Sequence, residues 1–319
     1  MHWQEIRNVS VMGAGLMGHG IAQEYAMAGY FVKLFDIDER ALDGAKDRIE
    51  GNLEQMVAFR LVDPEDVRSV GDRIATSSHL PDAAGEADLI VEAVKEDLEV
   101  KRALYRELDA VSPSRAIFAS NTSTLMPSLL ASATSRPEKV LVTHYFNPPY
   151  LLPLVEVVPH PGTSRETVDA AIGILTHLGK SPALLKREVP GFIGNRLQIA
   201  LLREALALVE DGTATVEDVD TVIRNSFGRR WAGGGIFEAW DLAGWDVVAQ
   251  VAENLLPEIS ASQTLSPVLR EIVERGDYGT KTGRGFYSYT PESADALRQR
   301  IQRILVAIQQ EVSAQGEKI

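Results

Sequence analysis

His144 closes the apolar run KVLVTHYF, residues 139 to 146, and a carboxylate, Glu156, interrupts a second apolar run, PLVEVVP, residues 153 to 159. An imidazole changes charge near neutral pH and can take or return a proton, so a histidine at a strand end is a candidate base. Two readings of His144 are open from its own context: a buried, satisfied core histidine, or a catalytic one. Glu156 bears on the choice, because a buried carboxylate without a partner is costly enough to neutralise and therefore needs a donor or a cation. If that partner is His144, the pair makes a base whose ring orientation is fixed and whose protonated form is stabilised, as removing a hydroxyl proton requires. The other reading of Glu156 is a solvent-facing residue on an edge strand. Ser120 and Asn121 end the run RAIFASN, and in open α/β sheets ligands bind beyond the carboxyl ends of strands, so Ser120 joins His144 as a candidate. His2, His79, His160 and His177 lie in terminal, loop or helix contexts.

A second constellation could hold a nucleotide. Gly13, Gly15 and Gly18 spell G-x-G-x-x-G, with Ala14, Leu16 and Met17 between them, after the β-type run NVSVM and before helix formers. Such glycines permit a tight turn and let the backbone approach a pyrophosphate at a helix amino terminus. Asp36 ends the next apolar run, where a ribose-binding acid belongs, and no arginine follows it directly; that favours NAD over NADP. Flavin and S-adenosylmethionine sites share parts of the pattern. His19 reads as an incidental surface histidine in the first helical turn.

The elements that must position these residues follow from periodicity. Strand-like runs at 8–12, 31–36, 87–93, 115–121, 139–146 and 153–159 alternate with helix-like stretches such as KEDLEVKRALYRELDAV and TSRETVDAAIGILTHLG. That alternation predicts an α/β Rossmann-type, mostly parallel sheet covered by helices. Beyond Pro190-Gly191 the texture becomes helical, which predicts a nucleotide-binding domain over 1–188 and an all-α domain over 189–319 for substrate binding and dimerisation. The tail carries one apolar stripe, Leu297, Ile301, Ile304, Leu305, Ile308 and Val312, that needs its own domain or a partner subunit to cover it.

Composition removes alternatives. With no cysteine there is no disulfide, thiolate metal site or cysteine nucleophile, which fits the cytoplasm, and no metal site is expected. A formal charge of −13 disfavours nucleic acid and anionic membranes as partners. No apolar run reaches the ~18 to 20 residues of a span, and the amino terminus mixes acid and base, so neither a membrane segment nor a cleaved signal is expected.

Taken in order, GAGLMGHGIAQ (13 to 23), VEAVKED (91 to 97), ASNTSTL (119 to 125), HYFNPP (144 to 149), LVEVV (154 to 158), GFIGNRL (191 to 197) and KTGRGFY (281 to 287) resemble the L-3-hydroxyacyl-CoA dehydrogenases across nearly the whole chain. The resemblance implies that His144 is the base and Glu156 its electrostatic partner. It implies that Ser120 and Asn195 bond substrate near the reacting oxygen with Asn147 beside them, and that Glu96, Lys101 and Lys281 lie on the cofactor side. It implies NAD as cofactor, reversible oxidation of a 3-hydroxyacyl-CoA in fatty-acid β-oxidation, and a homodimer formed through the helical domain. Where this family commonly has Gly-Pro-Phe-Glu the chain reads Gly-Ile-Phe-Glu, and residues 290–319 follow where such chains usually stop. VPHPGTSRETVD and NPPY also resemble the L-gulonate 3-dehydrogenases, which include lambda-crystallin, and the carnitine dehydrogenases. A free 3-hydroxy acid is therefore the alternative substrate, and a non-catalytic NAD-binding protein a third reading, disfavoured because His144, Glu156, Ser120 and Asn195 are all present.

Overall fold

Apolar runs bounded by turn residues become the strands of one eight-stranded sheet: β1 (Asn8–Met12), β2 (Phe31–Phe35), β3 (Ile74–Ser77), β4 (Leu89–Glu92), β5 (Ile117–Ser120), β6 (Val140–Tyr145), β7 (Leu154–Pro159) and β8 (Ser181–Leu184). The computed structural model describes residues 2–315. The strand order is β3-β2-β1-β4-β5-β6-β7-β8, and every pairing is parallel except β6 with β7. Parallel neighbours need a crossover of a dozen or so residues, usually through a helix, whereas residues 146–153 suffice to turn β6 back antiparallel into β7. The order reverses between β1 and β4, which makes a crevice at their carboxyl ends.

Seven helices belong to this part of the chain: α1 (Gly18–Met27), α2 (Glu39–Ala58), α3 (Pro64–Asp72), α4 (Leu80–Ala84), α5 (Leu98–Val111), α6 (Pro127–Ala131) and α7 (Arg165–His177). Several begin on a side chain that satisfies otherwise orphaned amides: Asp38 accepts from the Arg40 amide, Asp97 from Glu99 and Val100, and Ser164 from Thr167. Both faces of the sheet are covered, as the strand alternation records. In β4, Leu89 and Val91 join the apolar cluster on one face while Ile90 joins that on the other; in β5, Ile117 and Ala119 oppose Phe118 in the same way.

One compact unit runs to Asn195 and takes in the chain again from Glu311, and a second spans Arg196–Gln310. The helices of the later part are α8 (Gly194–Glu210), α9 (Val216–Asn225), α10 (Phe227–Arg230), α11 (Ile236–Asp241), α12 (Trp245–Leu255), α13 (Pro267–Glu274) and α14 (Pro291–Gln315). The expected architecture, a Rossmann-like sheet followed by a helical region, is the one found. Two details differ from the sequence reading. β3 and β8 are additional strands, one at each edge of the sheet, and in α14 the side chains of Ala294, Gln302 and Val306 are buried while Ile301 and Ile304 of the expected apolar stripe are exposed. No described helix is long and apolar enough to cross a membrane.

Candidate active site

The glycine loop follows β1 at the crevice. Gly13 sits at φ +103°, where only glycine is at ease, and a Cβ there would lie 2.6 Å from the Ala93 carbonyl oxygen at the end of β4. A Cβ on Gly18 would lie 1.7 Å from the Gly13 carbonyl oxygen, so a side chain at either position would displace the loop. Met17, at the amino terminus of α1, makes no side-chain cap, which leaves helix amides available to an anion. Asp36, beyond β2, accepts the Ala14 amide at 2.8 Å through Oδ2 and the Asp38 amide at 3.1 Å through Oδ1, so the acid is fixed beside the loop. Arg48 donates to the Ala14 carbonyl at 2.8 Å from α2. Bare amides, absent Cβ atoms and an anchored acid fit a dinucleotide. His19 is not the surface residue expected: it is buried, its Nδ1 bonds the Gly15 carbonyl at 2.8 Å, and burial lowers its pKa against the effect of that bond.

The antiparallel register of β6 and β7 sets His144 directly opposite Glu156. Side chains of such a pair project from the same face, and here His144 Nδ1 lies 2.8 Å from Glu156 Oε2. The other carboxylate oxygen accepts the amides of Ile193 and Gly194 at 2.8 and 2.9 Å. Burial pushes the Glu156 carboxyl up, but the bonds from His144 and the two amides outweigh it and hold its pKa below the ordinary value. An ionised carboxylate only accepts, so Nδ1 carries the proton and Nε2 of the neutral ring has its lone pair free. That nitrogen faces the Ser123 hydroxyl at 3.2 Å. Asn195 donates its amide to the Ser123 carbonyl at 3.1 Å, which brings Asn195 to the same place. Asn147 is exposed at the turn after β6.

Ser120 does not reach this site. Its side chain is fully buried, and its hydroxyl donates to Glu92 Oε2 at 2.6 Å while accepting the Thr122 amide at 3.2 Å. The serine at the imidazole is Ser123, which the sequence reading missed. The available signal was position: Ser120 is the last residue of β5, in line with buried Phe118, whereas Ser123 lies past the strand end.

Lys101 is likewise turned inward. It is 1% exposed, and its ammonium bonds Glu92 at 2.6 Å, Glu96 at 3.3 Å and the Val94 carbonyl at 3.3 Å, which uses its three protons. The lysine expected on the cofactor side is thus engaged by groups of its own chain. Glu96 is half-buried and accepts the Thr122 and Thr124 hydroxyls and the Ser123 amide, at 2.5, 3.0 and 3.1 Å. Burial raises the Glu96 carboxyl, but the Thr122 bond and the Lys101 charge prevail and lower its pKa. Glu96 therefore fixes the segment that carries Ser123. Lys281 is exposed within the second unit.

The arrangement can take a proton from an alcohol at His144 Nε2, return it, and stabilise the imidazolium in between. Comparisons with known proteins bear on the family. Residues 8–189 match the family model of the 3-hydroxyacyl-CoA dehydrogenase NAD binding domain, and residues 191–289 that of the C-terminal domain. The chain is 33% identical to 5-formyl-3-hydroxy-2-methylpyridine 4-carboxylate 5-dehydrogenase of Mesorhizobium japonicum, over 95% of this chain and 97% of that protein. It is 37% identical to the human mitochondrial hydroxyacyl-coenzyme A dehydrogenase, over 89% and 91%. Among solved structures, that of a 5-formyl-3-hydroxy-2-methylpyridine 4-carboxylic acid 5-dehydrogenase, described as an NAD+-dependent dismutase, superposes with a TM-score of 0.90 at 32% identity, covering 97% of this chain and 99% of that one.

Proposed function

This chain belongs to the 3-hydroxyacyl-CoA dehydrogenase family of NAD-dependent oxidoreductases, and from that premise we propose that it interconverts L-3-hydroxyacyl-CoA and 3-oxoacyl-CoA with His144 as the acid/base. The observation that carries the reading is the His144–Glu156 contact of 2.8 Å with Nε2 left facing the Ser123 hydroxyl. In oxidation Nε2 takes the proton of the 3-hydroxyl, and Glu156 stabilises the resulting imidazolium. Ser123 and the Asn195 amide bond the reacting oxygen. In reduction the imidazolium returns the proton. Bound NAD supplies the hydride acceptor, and the protein contributes geometry and the base. The glycine-loop amides and Asp36 hold the dinucleotide, and Asp36 would repel a 2′-phosphate, so catalytic efficiency is higher with NAD than with NADP.

The likeness to the pyridine-carboxylate enzyme favours a second reading, oxidation of a free small acid without CoA, because that superposition extends over 97% of this chain. Initial rates with NAD and 3-hydroxybutyryl-CoA, L-gulonate, L-carnitine and the pyridine carboxylate decide between them. Turnover of free acids alone removes the acyl-CoA reading. Loss of all turnover in His144→Ala is expected in either case.

The active species in this reading is a homodimer built on the helical region. Leu197 and Ile199 of α8 are 59% and 62% exposed, and Val247, Val251 and Leu255 of α12 are exposed with them. Apolar faces of this extent mark association surfaces, and light scattering is expected to give twice the chain mass.

A further inference from the structure

Gly191 and Phe192 both occupy the left-handed region, at φ +76° and +51°. Glycine enters it freely, but a residue with a Cβ and a bulky ring does so at a steric cost, so something else holds Phe192 there. Two restraints are visible. The amides that follow, of Ile193 and Gly194, are both bonded to Glu156 Oε1. The phenyl ring itself is fully buried in a small cluster with Val142, Val158 and Leu185. Val142 precedes His144 by two residues on β6, and Val158 follows Glu156 by two on β7. By strand alternation these side chains share the face that carries the histidine and the glutamate.

The left-handed turn therefore delivers a ring onto the reacting face. The Phe192 ring centroid lies 5.5 Å from that of His144, and a second ring, Phe146, lies 4.7 Å from it, at interplanar angles of 57° and 56°. These distances are those of favourable aromatic contacts. Phe146 has room because residue 194 is glycine: a Cβ there would sit 2.5 Å from its Cζ. Glu156 and Ser123 restrain the two ring nitrogens, while the two phenyl groups restrain the plane of the imidazole.

We propose that Phe192, with Phe146, is a positioning residue of the reaction: the two rings fix the imidazole plane of His144 so that Nε2 stays aimed at the substrate hydroxyl. The inference rests on His144 being the base. It gives Glu156 a second task, since the carboxylate that orients the imidazole also clamps the turn that supports Phe192.

The test is Phe192→Leu in the full-length chain, with Phe146→Leu as an independent probe at a half-buried position and Val70→Ala, at a buried residue of α3, as a control. The control removes apolar volume from a core cluster that does not include Phe192. Misplacing a reacting group by about 1 Å costs about 100-fold, so kcat is expected to fall about 10- to 100-fold in both phenylalanine variants. The KM for NAD stays within about two-fold, and the primary deuterium isotope effect on kcat rises as the chemical step becomes limiting. Proton resonances of the His144 ring lose part of their ring-current shift in each variant. Val70→Ala is expected to lower the melting temperature while keeping kcat within about two-fold of the parent. If Phe192→Leu does not fold, Phe146→Leu decides. Phenylalanine variants with parental kcat, or an equal loss in Val70→Ala, overturn the proposal. Turnover persisting in His144→Ala overturns the base and the positioning together, whereas inactive His144→Ala beside fully active Phe192→Leu and Phe146→Leu removes the positioning role alone.

Discussion

Replacing Glu156 by glutamine changes one atom of the site and tests its electrostatics. The carboxylate bonds His144 Nδ1 at 2.8 Å and the amides of Ile193 and Gly194 at 2.8 and 2.9 Å. Glutamine keeps the shape and one acceptor oxygen. Bonded to the two amides, that oxygen leaves the NH2 group facing Nδ1, which must then accept, so the neutral ring carries its proton on Nε2 and no longer serves as a base. Charge is lost as well. Opposite unit charges about 4 Å apart at an effective dielectric of about 20 attract by about 4 kcal/mol. Removing that attraction from the imidazolium-like transition state costs about 1,000-fold in rate at 1.36 kcal/mol per tenfold, and the amide replacement of the aspartate in a serine-protease triad costs about 10,000-fold. We expect kcat of Glu156→Gln to fall about 1,000- to 10,000-fold, read as NADH formation at saturating substrate, with the KM for NAD nearly unchanged. A folded variant that loses less than about tenfold refutes the electrostatic role of Glu156.

The two serines separate in opposite directions. Ser123→Ala is expected to lower kcat about 10- to 100-fold with a nearly unchanged melting temperature, because its hydroxyl, on a half-buried residue past the strand end, meets Nε2 at 3.2 Å. Ser120→Ala withdraws a buried donor from Glu92 and is expected to cost about 1–3 kcal/mol of stability, measured by urea unfolding, with the smaller effect on kcat. Acid stability depends in part on Asp109. Burial raises its carboxyl, but bonds from the Thr134 hydroxyl, Ser135 and the Arg136 guanidinium hold its pKa at about 2. A folded pKa below the unfolded one gives stability that is complete above about pH 4 and is lost as pH falls toward 2, so the urea midpoint drops across that window. In Asp109→Asn the drop is shallower, and an identical slope in both proteins refutes the assignment.

Some of this was legible in order along the chain because its causes are local. The glycine loop, its strand and its helix lie within residues 8–27, and the need for glycine at 13 and 18 is a matter of atoms a few residues away or in the neighbouring strand. Buried parallel strands read as apolar runs, so β1, β2, β4, β5 and β6 announced themselves. β3, Ile-Ala-Thr-Ser, escaped because it is four residues long, half-exposed and at the sheet edge. Lys101 was expected on the cofactor side, since its own segment does not reveal that Glu92, on another element, takes its ammonium.

The sequence by itself determined the Rossmann-like sheet, the helical region after it, the family, and the candidacy of His144, Glu156 and Asn195, because composition, periodicity and motif order express local propensity and burial. Tertiary structure decided which atoms meet. Register alone sets His144 against Glu156, and a slip of one residue would send every side chain of β7 to the opposite face. Register and strand ends likewise turned Ser120 inward and left Ser123 at the imidazole. The placement of Phe192 depends on a backbone held in a disfavoured conformation by bonds to a residue 37 and 38 positions before its neighbours. Such contacts join segments distant in the chain, and no local preference specifies them.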